Sequence, residues 1–155
     1  MRTIFEKEGT EAVILVDASN AFNSLNRQVA LHNVQRTCPA FATILINTYR
    51  VSSRLAVSGG AEIKSQEGST QGDNLGGHFY NQGTIPLQTL LSVTVPSVSQ
   101  VWLADDATGA GTLEHLKEWW DCIVKSGSRF GYLVNNSKSW LILKDPALLE
   151  QASAL

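Results

Sequence analysis

The sequence has few cysteines and no long apolar run, and each shortage excludes a class of protein. Two cysteines, Cys38 and Cys122, are too few for a disulfide scaffold or a zinc site, so a reduced, intracellular setting is expected. No apolar run is long enough to span a membrane, and no secretory signal is visible. We therefore expect a protein of the cytoplasm or nucleus that is not secreted and has no membrane partner.

Positive charge is also scarce. The chain carries 12 Lys and Arg against 14 Asp and Glu, a net charge of −2, and the basic residues form no cluster. A free-standing nucleic-acid-binding protein usually has a basic patch, so tight, unaided binding of nucleic acid is not expected. What is present is a globular composition, with 43% hydrophobic residues in a chain of 155. This composition suits a single domain, 1–155, with a proper core.

The apolar periodicity predicts an alternation of strands and helices. The predicted elements are a strand at Ala12–Val16, helices from after Asn26 to Thr37 and from Pro39 to Tyr49, a hairpin of Ser53–Val57 with Ala61–Gln66, a helix from His78 to about Ser92 disturbed near Pro86, a hairpin of Ser99–Ala104 with the residues after Asp106, a helix at Thr112–Ser126, short strands at Tyr132–Val134 and Ser139–Leu143, and a helical tail after Pro146. The core of this order is close to the split βαβ pattern. We therefore predict an α+β, ferredoxin-like fold in which helices pack on one face of an antiparallel sheet.

Two neighbouring carboxylates, Asp105 and Asp106, directly follow the apolar run Val101–Ala104. Adjacent like charges repel and resist burial, so they are seldom placed at a strand end for stability. Asp17 closes another predicted central strand, and if the two strands are neighbours, three carboxylates converge at one sheet edge. Hard oxygen ligands suit Mg²⁺, which would relieve the repulsion. For the acidic pair alone, an ordinary surface turn stays open as the alternative.

Four short motifs, in chain order, resemble those of reverse transcriptases. The matching segments are Asp17-Ala18-Ser19-Asn20-Ala21-Phe22-Asn23 for the first motif, Ser69-Thr70-Gln71-Gly72-Asp73-Asn74-Leu75-Gly76 for the second, Leu103-Ala104-Asp105-Asp106 for the aromatic-Ala-Asp-Asp turn, and Gly131, Asn135 and Lys138 for the fourth. One such motif is weak evidence, whereas four in order with sensible gaps are strong. From about Val13 to Leu143 the chain resembles the palm domain of a retroelement-type reverse transcriptase, as found in retrotransposons.

The resemblance implies catalytic and metal-binding roles for four residues. Asp17 and Asp105 would ligate two Mg²⁺ ions, or Mn²⁺ in their place, and Asp106 would be the third, less direct carboxylate of the catalytic, metal-binding set. Lys138 would lie near the pyrophosphate leaving group as a cation or proton donor. A solvated lysine at a strand edge is the plainer reading of Lys138.

The resemblance also implies substrate contacts. The backbone at Ala18 would lie beside the triphosphate, and Phe22 would stack under the sugar and exclude a 2′-hydroxyl, which favours deoxynucleotides. Gln71 and Gly72 would contact the nucleotide and the template, with glycine letting the backbone approach closely. The plainer alternatives are a core role for Phe22 and a simple turn at Gln71-Gly72.

The implied activity is that of an RNA-directed DNA polymerase, a nucleotidyltransferase that adds dNTPs to a primer 3′-hydroxyl. Its partners would be an RNA or DNA template with primer, the dNTP, and other parts of a longer parent polyprotein. Only sixteen residues precede Asp17 and few follow Leu143, so we expect the fingers to be largely missing and the thumb wholly missing. For that reason the isolated chain is expected to be nearly inactive.

Departures from the motifs and two alternatives qualify this reading. Leu103 stands where the third motif usually has an aromatic residue, and Asn74 stands where the second commonly has proline. One alternative is a catalytically dead or domesticated palm that acts as an interaction module. The other is a phosphoacceptor receiver domain, in which an acidic pair closes the first strand; here the pair comes late, which argues against it.

Overall fold

The fold is described from a computed structural model, which covers residues 2–70 and 72–154; Gln71 lies outside the described residues. The helices and strands are α1 (Arg2–Phe5), β1 (Ala12–Val16), α2 (Ala21–Ser24), α3 (Arg27–Thr37), α4 (Pro39–Tyr49), β2 (Ser53–Ala56), β3 (Glu62–Ser65), α5 (Gly76–Thr94), β4 (Ser99–Leu103), β5 (Asp106–Gly111), α6 (Leu113–Gly127), β6 (Trp140–Leu143) and α7 (Leu149–Ala154). Short 3₁₀ turns lie at Ser128–Phe130, Asn136–Lys138 and Pro146–Leu148.

The main sheet has four strands in the order β4-β5-β1-β6, and every neighbouring pair is antiparallel. β1 is an inner strand because its run is apolar on both faces, and all its residues except Leu15 are buried. Val16 pairs with Ala107 of β5. That register places Asp17, the next residue after β1, at the same end of the sheet as Asp106 at the start of β5.

Helices cover one face of this sheet, as predicted. Thr112 caps the start of α6, because its hydroxyl accepts a hydrogen bond from the backbone N–H of His115, and the apolar stripe of α6 packs against β1 and β5. Trp119 in that stripe is fully buried. On the opposite face of the sheet, Leu103 is 76% exposed and Trp140 is 67% exposed. The predicted fold class, an antiparallel sheet with helices on one face, is confirmed.

α5 runs without interruption from Gly76 to Thr94 although Pro86 lies inside it. Proline has no N–H, so the carbonyl of Gln82 loses its usual helical partner. The side chain of Asn33 in α3 donates to that carbonyl at 2.6 Å. The predicted disturbance near Pro86 is therefore wrong, because a neighbouring helix satisfies the group that proline leaves free.

The predicted strand Tyr132–Val134 is also wrong. Only Val134 forms an isolated bridge, with Ala18, and Tyr132 is a buried core residue. The chain turns at Gly131, which has a φ of +78°, a conformation that favours glycine. Lys138 lies in a 3₁₀ turn that precedes β6, so it is not on the edge strand itself.

The two cysteines are free and half-buried. Among the helices of residues 2–70 and 72–154, none is both long enough and apolar enough to cross a membrane.

Candidate functional site

A shallow cleft of about 370 Å³ opens where β1 ends and β4 turns into β5. We call it the acidic cleft, and its lining is Asp17, Ala18, Ser19, Asn20, Ala21, Phe22, Asp105, Asn135 and Lys138. Five of the eight residues predicted as site residues, namely Asp17, Ala18, Phe22, Asp105 and Lys138, thus line one cavity. Asp106 is exposed and lines a neighbouring groove on the open face of the sheet, which Asp17 and Lys138 also border.

The acidic turn between β4 and β5 has only two residues, Ala104 and Asp105, because Leu103 already pairs with Asp106. Ala104 adopts a φ of +53°, which is unusual for a residue with a Cβ. The buried hydroxyl of Tyr132 donates to the backbone oxygen of Asp105 at 2.8 Å and holds the turn from below. Sparsely populated backbone conformations are often found at functional sites, and Asp105, the residue after Ala104, lines the cleft.

Asp17 is held by the segment that follows Tyr132. The Nδ2 of Asn135 donates to Asp17 Oδ2 at 3.2 Å, and the backbone N–H of Asn135 donates to Asp17 O at 2.8 Å. The backbone N–H of Asp17 in turn donates to the hydroxyl of Ser139 at 3.3 Å. Both the chain and the carboxylate of Asp17 are therefore fixed by residues from the far end of the sequence.

The buried hydroxyl of Tyr132 is affected by the negative charges of Asp17, Asp105 and Asp106. Burial raises the pKa of Tyr132 above its usual range, and the charges of Tyr80, Asp105, Asp106 and Asp17 raise that pKa further. In residues 2–70 and 72–154, no ion pair joins any of these three aspartates to a basic side chain. The cleft is lined by two carboxylates, Asp17 and Asp105, and by one ammonium, that of Lys138.

The oxygen donors of the cleft fit a hydrated divalent cation, although they are not gathered as a complete ligand set. Across the part of the chain that the structure describes, no three His, Cys, Asp or Glu side chains are grouped closely enough to hold a metal ion. Mg²⁺, however, usually keeps several waters and takes only one or two protein carboxylates, with substrate phosphates completing its shell. Asp17 and Asp105, which line the same cleft, are two carboxylates of that kind. The buried hydroxyl of Tyr80 has no hydrogen-bond partner. Burial raises the pKa of Tyr80, and the nearby charge of Asp105 raises that pKa further.

Phe22 combines the two roles considered for it. It is half-buried and packs against the core, and it also lines the acidic cleft. Its ring stacks on Tyr80 with the centroids 4.7 Å apart and the planes 21° apart. A side chain held in this way presents a fixed surface to the cleft.

The loop of the second motif attaches to the loop of the first. The backbone N–H of Ser69 donates to Phe22 O at 2.6 Å. Gly72 has a φ of +87° and is exposed, with no atom within 4 Å of an added Cβ. It does not line the acidic cleft, and its predicted partner in substrate binding, Gln71, lies outside the described ranges. The contact of these two residues with substrate stays a prediction.

Sequence reasoning missed the anchor of this loop, Arg27. Its guanidinium is buried and donates to backbone oxygens of Ser65, Glu67 and Gly68. Tyr49, whose ring lies 5.5 Å from the guanidinium, donates through its hydroxyl to Asp73. Nothing in the local sequence distinguishes Arg27 from a solvated arginine in the first turn of a helix.

Comparison with known proteins identifies the fold. No family profile matches the sequence, and no curated protein matches it. Among solved structures, telomerase of Candida tropicalis in complex with a fragment of telomeric RNA is similar, with a TM-score of 0.68 and 14% identity, over 94% of this chain and 28% of that one. Apo telomerase of Candida tropicalis has a TM-score of 0.65 and 12% identity, over 93% and 31%.

Telomerase of Candida albicans, also bound to a fragment of telomeric RNA, gives a TM-score of 0.64 at 12% identity, over 92% of this chain and 30% of that one. This chain therefore spans less than a third of each of these three structures. Telomerase is related to reverse transcriptases, so the fold is reverse-transcriptase-like. At these identities the likeness extends to the fold alone.

Proposed function

We propose that this chain is the palm part of a retroelement-type reverse transcriptase, which adds deoxynucleotides to a primer 3′-hydroxyl. The observation that carries the proposal is the pairing of β1 with β5, because it brings Asp17 and Asp105 into one cleft with Lys138. Two carboxylates and one ammonium in a polar cleft are what a phosphoryl transfer needs from the protein, since its catalysis is mainly positioning and neutralisation.

In this proposal Asp17 and Asp105 hold the divalent cations, with Asp106 beside them. The chemistry that Mg²⁺ or Mn²⁺ supplies when bound is activation of the attacking hydroxyl and stabilisation of the leaving oxygen. Lys138, exposed at the rim of the cleft, supplies a positive charge or a proton to the pyrophosphate that departs. Phe22, stacked on Tyr80, lies under the sugar and excludes a 2′-hydroxyl.

The proposed partners are an RNA or DNA template with its primer, and a dNTP. Two of the similar telomerases are complexes with telomeric RNA, which supports nucleic acid as the partner class. Contacts to phosphates supply most of the affinity for nucleic acid, and this chain has a net charge of −2. We therefore propose that other parts of a longer protein supply much of the grip on the template.

One observation favours a second candidate, a non-catalytic palm-like interaction module. No complete three-ligand group exists among the described residues, and a decayed palm would lose that group before its fold. Such a module binds a divalent cation without turnover and does not extend a primer.

Primer extension on a poly(rA)/oligo(dT) duplex with Mg²⁺ tests the proposal. The wild-type chain should incorporate dTTP only slowly, because other parts of a longer protein are proposed to supply much of the grip on the template, and Asp105→Asn should lose that residual incorporation without losing its fold. Asp121→Asn is the matched control, because Asp121 is an exposed aspartate on α6 whose partner is Lys117. Equal incorporation by wild type and Asp105→Asn would overturn the proposal, and Mn²⁺ binding without incorporation by wild type would favour the interaction module.

A further inference from the structure

Asn135 is far from Asp17 in the sequence but forms hydrogen bonds with it. Its side-chain Nδ2 donates to Asp17 Oδ2 at 3.2 Å over a separation of 118 residues, and its backbone N–H donates to Asp17 O at 2.8 Å. Both residues are half-buried. A hydrogen bond to one carboxylate oxygen fixes the rotation of the whole carboxylate, so the second oxygen takes a defined direction.

The amide of Asn135 is itself oriented. A primary amide can present either its NH₂ group or its carbonyl oxygen to a neighbour. The hydroxyl of Ser137 donates to Asn135 Oδ1 at 2.8 Å, so the carbonyl end is occupied. Only the NH₂ end is left for Asp17, and an ionised carboxylate accepts only from such a donor. Ser137, Asn135 and Asp17 thus form a directed chain of hydrogen bonds.

Asn135 also fixes the start of the segment that carries Lys138. The backbone N–H of Lys138 donates to Asn135 O at 3.1 Å, and the hydroxyl of Ser139 donates to the same oxygen at 2.9 Å. One residue therefore ties together the acid at the end of β1 and the lysine on the other side of the cleft. No other residue described for the acidic cleft makes hydrogen bonds to both Asp17 and Lys138.

We propose that Asn135, oriented by Ser137, is a positioning residue that sets the direction of the Asp17 carboxylate for a divalent cation. The inference rests on the proposed function, because it takes Asp17 to be a cation ligand. Residues that orient a ligand without touching the metal commonly affect metal affinity by about 10–100-fold. A turn residue with no such role would affect stability and leave cation affinity unchanged.

The test is Mn²⁺ binding by the full chain, measured from the EPR signal of free Mn²⁺, with thermal unfolding of each variant alongside. Asn135→Ala should weaken Mn²⁺ binding by about 10–100-fold, and Ser137→Ala should weaken it by a smaller factor at an unchanged melting temperature. Asn136→Ala is the matched control, because Asn136 is an exposed asparagine next to Asn135, and its affinity should equal that of wild type.

The outcomes separate the inference from the proposed function. Wild-type affinity in both Asn135→Ala and Ser137→Ala would overturn the positioning role and leave the proposed function standing. If Asn135→Ala does not fold, Ser137→Ala decides, because it keeps the backbone contacts and removes only the hydroxyl that orients the amide. Absence of Mn²⁺ binding by wild type would overturn the proposed function, and the inference with it.

Discussion

A substitution of Arg27 tests how the hairpin of β2 and β3 and the loop of the second motif are held to the rest of the domain. The side chain of Arg27 is only 6% exposed. The guanidinium donates to Gly68 O at 3.0 Å, Ser65 O at 3.0 Å, Ser65 Oγ at 3.1 Å and Glu67 O at 2.8 Å. The hairpin of β2 and β3 is otherwise exposed over almost its whole length. Arg27 therefore holds both the end of the hairpin and the start of the second-motif loop.

The expected loss follows from these contacts. Burial lowers the pKa of Arg27, but arginine stays charged in proteins, and hydrogen bonds to a charged group contribute about 1.5–3 kcal/mol each before non-additivity. Arg27→Ala leaves several backbone carbonyls without this partner, and the equivalent of about two charged hydrogen bonds gives an expected loss of about 3–5 kcal/mol in the free energy of unfolding. Arg27→Lys keeps the positive charge but loses the planar guanidinium, so we expect it to lower the free energy of unfolding by about 2 kcal/mol.

Urea denaturation measures these losses, and for a domain of this size each kcal/mol corresponds to about 2–4 °C in melting temperature. Arg36→Ala is the matched control, because Arg36 lies exposed in the last turn of the same helix, and it should change stability by less than about 0.5 kcal/mol. Hydrogen exchange in Arg27→Lys should rise first in β3 and the loop that follows. A loss below about 1 kcal/mol in Arg27→Ala would refute the reasoning, since net charged hydrogen bonds exceed that value.

Two further predictions concern the residues beneath the cleft. Gly131→Ala would put a Cβ 1.9 Å from the carbonyl oxygen of Ser24, so it should unfold the domain. The control is Gly9→Ala, at a φ of +83° with nothing within 4 Å, which should lower the free energy of unfolding by only about 1–2 kcal/mol through left-handed strain. Equal losses of stability in urea titrations of the two variants would contradict the clash. Burial raises the pKa of Tyr80 in the folded state, so its contribution to stability is fully present below about pH 10 and is lost as the pH rises through the folded-state pKa. Because its hydroxyl has no partner, Tyr80→Phe should be neutral or slightly stabilising at pH 7 and should lose less stability than wild type between pH 9 and 11; identical alkaline slopes would refute the assignment.

Five residues that line the acidic cleft, Asp17, Ala18, Phe22, Asp105 and Lys138, were named from the sequence because they stand in short motifs that resemble those of reverse transcriptases. The apolar run Ala12–Val16 predicted β1, and Asp17 followed it directly. The predicted helix Thr112–Ser126 agrees with α6 to within one residue at each end. In each case the pattern reports which side chains an element can bury, and that depends on near neighbours in the chain.

The predictions failed where a distant residue supplied the missing partner. Pro86 was expected to disturb α5, but Asn33 satisfies the carbonyl that it leaves free. Tyr132 was assigned to a strand, but its hydroxyl lies in the core under Asp105. Arg27 gave no signal at all, because its importance lies in carbonyls about 40 residues away in the chain.

The sequence by itself determined which residue types stand at the ends of the strands, and therefore which chemistry the site can offer. Only the tertiary structure decided that β1 lies between β5 and β6, with Val16 opposite Ala107, and that Asn135 reaches Asp17 across 118 residues. The physical reason is that strand order and register depend on which faces the helices leave to be buried, and a one-residue slip would turn every side chain of a strand to the other face. Such contacts are a property of the assembled core, and no short segment carries them.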